Sequence, residues 1–200
     1  MLHYGAPIES ARRVAIFIHG RGASAEDILG IAPELGTDDV AYLAPQAAGN
    51  TWYPNSFLSP ISQNEPGLTS ALAVIGALVK KLATDGYAPE RIIILGFSQG
   101  ACLGLEFAAR NAQRFAAIVA LSGGLIGPPG TPRNYPGSLA DTPVFLGCSD
   151  VDPHIPLERV HESAEVLRRM EARVDERIYK RMGHTINADE LAAVRELVGK

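Results

Sequence analysis

Two cysteines in 200 residues, Cys102 and Cys148, are too few for a disulfide framework, and neither stands at metal-ligand spacing. A reducing setting follows as the expectation. Basic residues are also in short supply: 18 Lys and Arg against 22 Asp and Glu leave a net charge of −4, the wrong sign for a surface that tracks phosphates. The run Arg168, Arg169, Arg173 is interleaved with Glu162, Glu165 and Glu171 and reads as the solvated side of a helix, so no nucleic-acid partner is expected. The first residues, Met1-Leu2-His3-Tyr4-Gly5, lack the basic and apolar regions of a signal peptide, and no apolar run is read as spanning a bilayer. A cytoplasmic protein without a membrane anchor is therefore expected. No His pair has the spacing of a metal site, and no internal repeat or linker divides the chain, which is short enough for one domain over residues 1–200.

What is present is a layered pattern. Short apolar runs bounded by Gly, Pro or Asp alternate with longer segments of helical period, the mark of parallel strands joined by crossover helices. Strands are expected at Val14 to Ile18, Val40 to Leu43, Arg91 to Leu95, Ala116 to Leu121, Val144 to Gly147 and Val174 to Tyr179. Ile92 to Leu95 is apolar throughout, as in a strand covered on both faces. Helical stripes appear in Leu68, Leu72, Ile75, Val79 and Leu82, and again in Leu157, Val160, Ala164 and Leu167. A last helix begins with Asn187 as N-cap and Glu190 three residues on. Two stretches, Gln46 to Pro66 and the Gly/Pro-rich Ser122 to Pro143, are long enough without regular structure to suggest functional or disordered segments.

Gly96-Phe97-Ser98-Gln99-Gly100 matches G-x-S-x-G, between a strong strand and a small-residue helix, Ala101 to Arg110. In that setting the glycines permit a sharp turn that lifts the Ser98 hydroxyl off the sheet, and the helix N-terminus favours developing negative charge. The plainer alternative is an ordinary turn or N-cap serine. A serine nucleophile needs a base and an orienting acid. His184, in Gly183-His184-Thr185 just past the last strand, is best placed as base. His154 stands too close to the candidate acids, His161 lies inside a helix, and His19 belongs to another feature. Asp150 and Asp152 both follow the strand at Val144 to Gly147, one as acid and the other as a loop stabiliser; spacing does not choose between them. His19-Gly20-Arg21-Gly22 can aim a backbone N–H at a reacting carbonyl, so the amides of Arg21 and Gln99 are the expected oxyanion donors.

Together, Gly96-Phe97-Ser98-Gln99-Gly100, His19-Gly20-Arg21-Gly22, Asp152-Pro153-His154-Ile155-Pro156 and Gly183-His184 resemble the carboxylesterase/phospholipase family of acyl-protein thioesterases and small bacterial carboxylesterases. The resemblance implies an α/β-hydrolase fold with a mostly parallel sheet of six or seven strands, helices on both faces and no large cap domain. It selects Asp152 as the acid. It further implies a cofactor-free serine hydrolase of esters or thioesters, often a homodimer, for which the Ser122 to Pro143 segment is a candidate contact. Thr51-Trp52-Tyr53 stands where the family has a Trp-Phe segment, so Trp52 and Tyr53 are candidate substrate contacts, with packing under a loop as the alternative. Arg21 replaces the leucine common in the thioesterases and points toward a substrate or leaving group with negative charge near the carbonyl, with a solvent-facing side chain that contributes only its backbone as the equal alternative. Other readings on the same scaffold are a dienelactone-type hydrolase and a non-catalytic binding module.

Overall fold

The computed structural model describes residues 1–36 and 38–200. Seven strands form one sheet: β1 (Leu2–Gly5), β2 (Arg13–Ile18), β3 (Val40–Ala44), β4 (Ile92–Phe97), β5 (Ala117–Leu121), β6 (Pro143–Ser149) and β7 (Arg173–Tyr179). Their order is β1-β3-β2-β4-β5-β6-β7; only β1 runs antiparallel to its neighbour. Helices α1 (Ala25–Leu29), α2 (Ala32–Leu35), α3 (Gly67–Thr84), α4 (Gln99–Arg110), α5 (Leu157–Arg169) and α6 (Ala188–Gly199) cover it.

Alternation along the strands sorts the core into two layers. Val14, Ile16, Ile18, Ile92 and Ile94 face α3, α4 and α5, whereas Ala15, Phe17, Ile93 and Leu95 face α1, α2 and α6. Both sides of β4 and of β2 from Val14 onward are thus buried, and this explains their lack of polar residues. By length and composition α3 could cross a membrane, contrary to the expectation that no segment would qualify. Here its stripe of Leu68, Ala71, Ile75 and Leu82 is instead spent on the sheet, where all four are buried.

Three elements escaped the sequence reading. All four residues of β1 are exposed, so no buried face imposes a period of two. Helices α1 and α2 span five and four residues, too short to display a stripe. Arg91, expected to open β4, belongs instead to a 3₁₀ turn over Pro89–Arg91, and the strand runs on to Phe97, directly before Ser98.

The stretch expected at Ser122 to Pro143 has no helix or strand until β6 opens at Pro143, yet its inner edge is held firmly to its own chain. Arg159, buried in α5, donates from Nη1 to the carbonyls of Leu125 (2.7 Å) and Gly127 (2.6 Å). Glu106, buried in α4, accepts from the Ile126 N–H at 3.0 Å and the Tyr135 hydroxyl at 3.0 Å.

The expected cap of α6 is present as a reciprocal box: Glu190 N–H donates to Asn187 Oδ1 and Asn187 N–H to Glu190 Oε2, each at 2.9 Å. Glu190 is fully buried, with its other oxygen, Oε1, unpaired. A Cβ on Gly147 would stand 2.2 Å from that oxygen, so the carboxyl occupies the space where β6 lacks a side chain. Burial pushes the Glu190 carboxyl up to about 7, only partly offset by the Asn187 N–H and reinforced by Asp189. An acid whose pKa rises on folding loses stability as pH climbs from its unfolded value toward its folded one. Relative to the wild type, Glu190→Gln should therefore gain several degrees in Tm between pH 5 and pH 8, since ~1 kcal/mol corresponds to ~2–4 °C at this size. A Tm difference between the two proteins that is the same at both pH values would refute this account.

Candidate active site

The strand order reverses between β2 and β4, because β3 lies to one side of β2 and β5 to β7 lie beyond β4. Loops leaving such a pair diverge and open a crevice at the carboxyl ends of the strands. His19-Gly20-Arg21-Gly22 leaves β2 there, and Ser98 leaves β4.

Ser98 has φ 55° and ψ −118°, a conformation costly for a residue with a Cβ, at ~1–3 kcal/mol. The turn fits only because its flanks lack side chains. A Cβ on Gly96 would meet the Gly100 carbonyl at 2.3 Å, and one on Gly100 would meet the Ile18 carbonyl oxygen at 2.0 Å. The elbow is therefore pressed against the end of β2, with the serine projecting into the crevice.

Two side chains arrive from further along the chain. His184 Nε2 lies 2.8 Å from Ser98 Oγ, and its Nδ1 lies 2.7 Å from Asp152 Oδ2. Asp152 can only accept when ionised, so Nδ1 carries the proton and Nε2 is free to accept from the serine hydroxyl. Burial opposes ionisation of Asp152. The hydrogen bond from His184 and the N–H groups of His154 and Ile155, at 2.8 and 3.0 Å from Oδ1, outweigh it and hold the carboxyl below its ordinary value. The Asp152 side chain is fully enclosed, whereas His184 retains an exposed edge.

Asp150, the rival acid, accepts from the Arg181 N–H at 2.8 Å, while Ser149 Oγ accepts from the Gly183 N–H at 3.1 Å. Both bonds tie the segment before His184 to the end of β6. The His184 ring is packed between Phe97, at 4.9 Å between centroids, and His154, edge-on at 4.8 Å. Phe97 is one of the two variable residues inside the G-x-S-x-G pattern, so its contact with His184 gave no signal in the sequence. His161 is remote from this group, exposed on α5 and 2.5 Å from Glu176.

The expected donor loop also has a built form. His19 is buried; its Nδ1 lies 2.8 Å from the Gly20 carbonyl oxygen, and its Nε2 accepts from the Ala47 N–H at 3.1 Å. Among the described residues neither the Arg21 nor the Gln99 backbone N–H has a protein acceptor, and Gln99 opens α4, where the first amides have none within the helix. The Gln99 side chain does separate work. Its Oε1 accepts from the Trp52 N–H at 2.9 Å and its Nε2 donates to the Tyr53 carbonyl at 2.8 Å.

A cavity of about 680 Å³ opens over Ser98 and His184, walled by Arg21, Tyr53, Phe57, Cys102, His154 and Ile155 among others. Tyr53 lines it as expected; Trp52 does not. The indole is buried behind the donor loop, donating from Nε1 to the His19 carbonyl at 2.9 Å and lying 5.0 Å from the imidazole, so its role is packing. The Arg21 side chain turns along the rim. It donates from Nη1 to Thr51 Oγ1 (3.0 Å) and the Pro54 carbonyl (2.8 Å), and from Nη2 to the Asn55 carbonyl (2.6 Å). Cys102 is buried, and burial pushes its thiol up to about 12, which leaves it unreactive beside the serine. No group of three or more His, Cys, Asp or Glu side chains among the described residues is placed to hold a metal ion.

Residues 5–200 match the family model described as phospholipase/carboxylesterase. The chain belongs to the phospholipase/carboxylesterase family. It is 30% identical to acyl-protein thioesterase 1 of Saccharomyces cerevisiae, over all of this chain and 97% of that protein. Among solved structures, the phospholipase/carboxylesterase from Dyadobacter fermentans is 42% identical, with a TM-score of 0.95 over all of this chain and 95% of that one. The carboxylesterase of Bacillus cereus, 18% identical with a TM-score of 0.78 over 99% of this chain and 92% of that one, shares the fold. The family member described here is an α/β-hydrolase without a large cap domain among its described residues, and a carboxylic ester hydrolase.

The Gln99 side chain ties the start of α4 to the 51–53 segment, and both of its backbone partners lie in buried surroundings. Gln99→Leu should lower the unfolding free energy by about 2–6 kcal/mol, since two buried backbone groups lose their partner at ~1–3 kcal/mol each. Urea denaturation checks this. A variant within ~0.5 kcal/mol of the wild type would show that the tie is dispensable.

Proposed function

We propose that the enzyme cleaves carboxylic esters, and thioesters, of small or medium acyl groups through an acyl-enzyme on Ser98. His184 takes the Ser98 proton as the hydroxyl attacks the carbonyl carbon and then delivers it to the departing alcohol or thiol. Asp152 fixes the tautomer of His184 and stabilises the imidazolium. The amides of Arg21 and Gln99 receive the oxyanion, and water activated by His184 releases the acid.

The observation that carries this reading is the unbroken hydrogen-bonded chain from Asp152 through His184 to Ser98, at 2.7 and 2.8 Å, in a cavity whose lining includes Arg21 and Gln99, two residues whose backbone amides have no acceptor among the described residues. A cavity volume of about 680 Å³, with Tyr53, Phe57 and Cys102 among the lining residues, supports the limit on acyl length. Two buried free thiols support a reducing, cytoplasmic setting.

Labelling with a fluorophosphonate followed by peptide mapping should place the adduct on Ser98. Ser98→Ala should keep its Tm close to the wild type and lose on the order of 10⁵ in kcat toward a 4-nitrophenyl ester, by analogy with other serine triads. A folded Ser98→Ala protein with near-normal turnover, or an adduct on another residue, would overturn the assignment.

A further inference from the structure

His154 is the one imidazole at the site that the proposed mechanism leaves unused. Its backbone N–H donates to Asp152 Oδ1 at 2.8 Å, which fixes the residue to the same carboxylate that orients His184. Its ring stands edge-on to the His184 ring, 4.8 Å between centroids, exposed and lining the cavity. Neither ring nitrogen is hydrogen-bonded to any described residue, although the N–H groups of His154 and Ile155 both donate to Asp152 Oδ1.

The charge around the cavity is as informative as the ring. The whole chain carries −4, yet none of the residues lining this cavity is Asp or Glu. Asp152 is enclosed behind His184, and the charged group on the opposite rim is the Arg21 guanidinium, held in place by Thr51, Pro54 and Asn55. Lys180 and Arg181 are exposed on the segment leading to His184. A low-dielectric crevice lined by one sign of charge concentrates ligands of the other.

Direction follows from the chemistry. This step rests on the proposed roles of Ser98 and His184. The carbonyl oxygen must face the amides of Arg21 and Gln99, and the leaving atom must face His184 Nε2 to receive its proton. A group packed against the His184 ring therefore borders the leaving alcohol or thiol, not the acyl chain. The geometry points to His154 as a specificity-determining residue that donates a ring N–H to a carboxylate on the leaving group, so that the preferred substrate is an ester of a carboxylate-bearing alcohol or thiol.

The test compares 3-acetoxybenzoate with its methyl ester, two acetates that differ in the charge of the leaving group, each rate being divided by its hydroxide-catalysed rate. The wild type should favour the carboxylate in kcat/KM. His154→Phe retains a ring against His184 but has no N–H, and it should reduce the carboxylate-to-methyl-ester ratio about tenfold, chiefly through KM, the scale of one hydrogen bond to a charged group. A merely structural effect on His184 would slow both acetates alike and leave the ratio unchanged. A wild-type ratio at or below one, or a ratio that His154→Phe does not move, would overturn the inference while leaving the Ser98 reading intact. Failure to hydrolyse either ester, together with no fluorophosphonate adduct at Ser98, would overturn both.

Discussion

The site depends on one close approach, the contact of Gly100 with the last carbonyls of β2. A Cβ there would come within 2.0 Å of the Ile18 oxygen and 2.6 Å of the His19 oxygen, so the start of α4 lies almost on the backbone of its neighbouring strand. The approach has three consequences at once. Ser98 is forced into its positive φ, the first amides of α4 are brought beside the loop leaving β2, and the two strand ends at the reversal of sheet order are locked together. None of these would follow from the sheet alone. Parallel pairing sets the strand spacing, but the absent side chains at positions 96 and 100 determine how far the elbow can close.

The other half of the site is assembled from segments about 50 and 85 residues downstream, and its order comes from backbone hydrogen bonds. Asp152 accepts two N–H groups from its own loop before it reaches His184, so the carboxylate is oriented independently of the imidazole. Asp150 and Ser149 then hold the chain that carries His184. Each of the neighbouring polar residues Ser149, Asp150 and Asp152 thus has a distinct partner. The ring is left little freedom between Phe97 and His154, and such support keeps a general base within reach of its proton donor without help from substrate.

How much of this could be read from the residues depends on whether the signal was local. Strands β2 to β7 declare themselves because burial on one or both faces constrains their composition, and the elbow does so because its glycines are sterically required at fixed offsets. The α6 cap, from Asn187 to Glu190, is likewise local. By contrast β1 is fully exposed, and α1 and α2 are too short to repeat a pattern. Position 52 shows the limit most clearly: a Trp in a long loop near the site is compatible with either substrate contact or packing, and only the indole N–H reaching the His19 carbonyl decides for packing. The choice between Asp150 and Asp152 was similarly tertiary, since both follow β6 and differ only in what the distant 181–184 segment presents to them.

Arg21 illustrates how a side chain and its own backbone can be assigned separate tasks. Its amide has no acceptor among the described residues, while its guanidinium is bound along the cavity rim to carbonyls of the 54–55 segment. A leucine at this position could offer the same amide but could not bind those carbonyls. Gln99 repeats the division: its amide is free at the start of α4, and its side chain grips both sides of the Trp52–Tyr53 peptide. The two proposed oxyanion donors are therefore each tethered, through their side chains, to the single 51–55 segment that forms one wall of the cavity. Donor position and cavity shape are coupled by that arrangement, so a substitution in the wall acts on the donors as well as on the space available to the acyl group. On the proposed roles of Arg21 and Gln99, the acyl side of the site is consequently shaped by the linked unit formed by Arg21, Gln99 and residues 51–55, rather than by cavity volume alone.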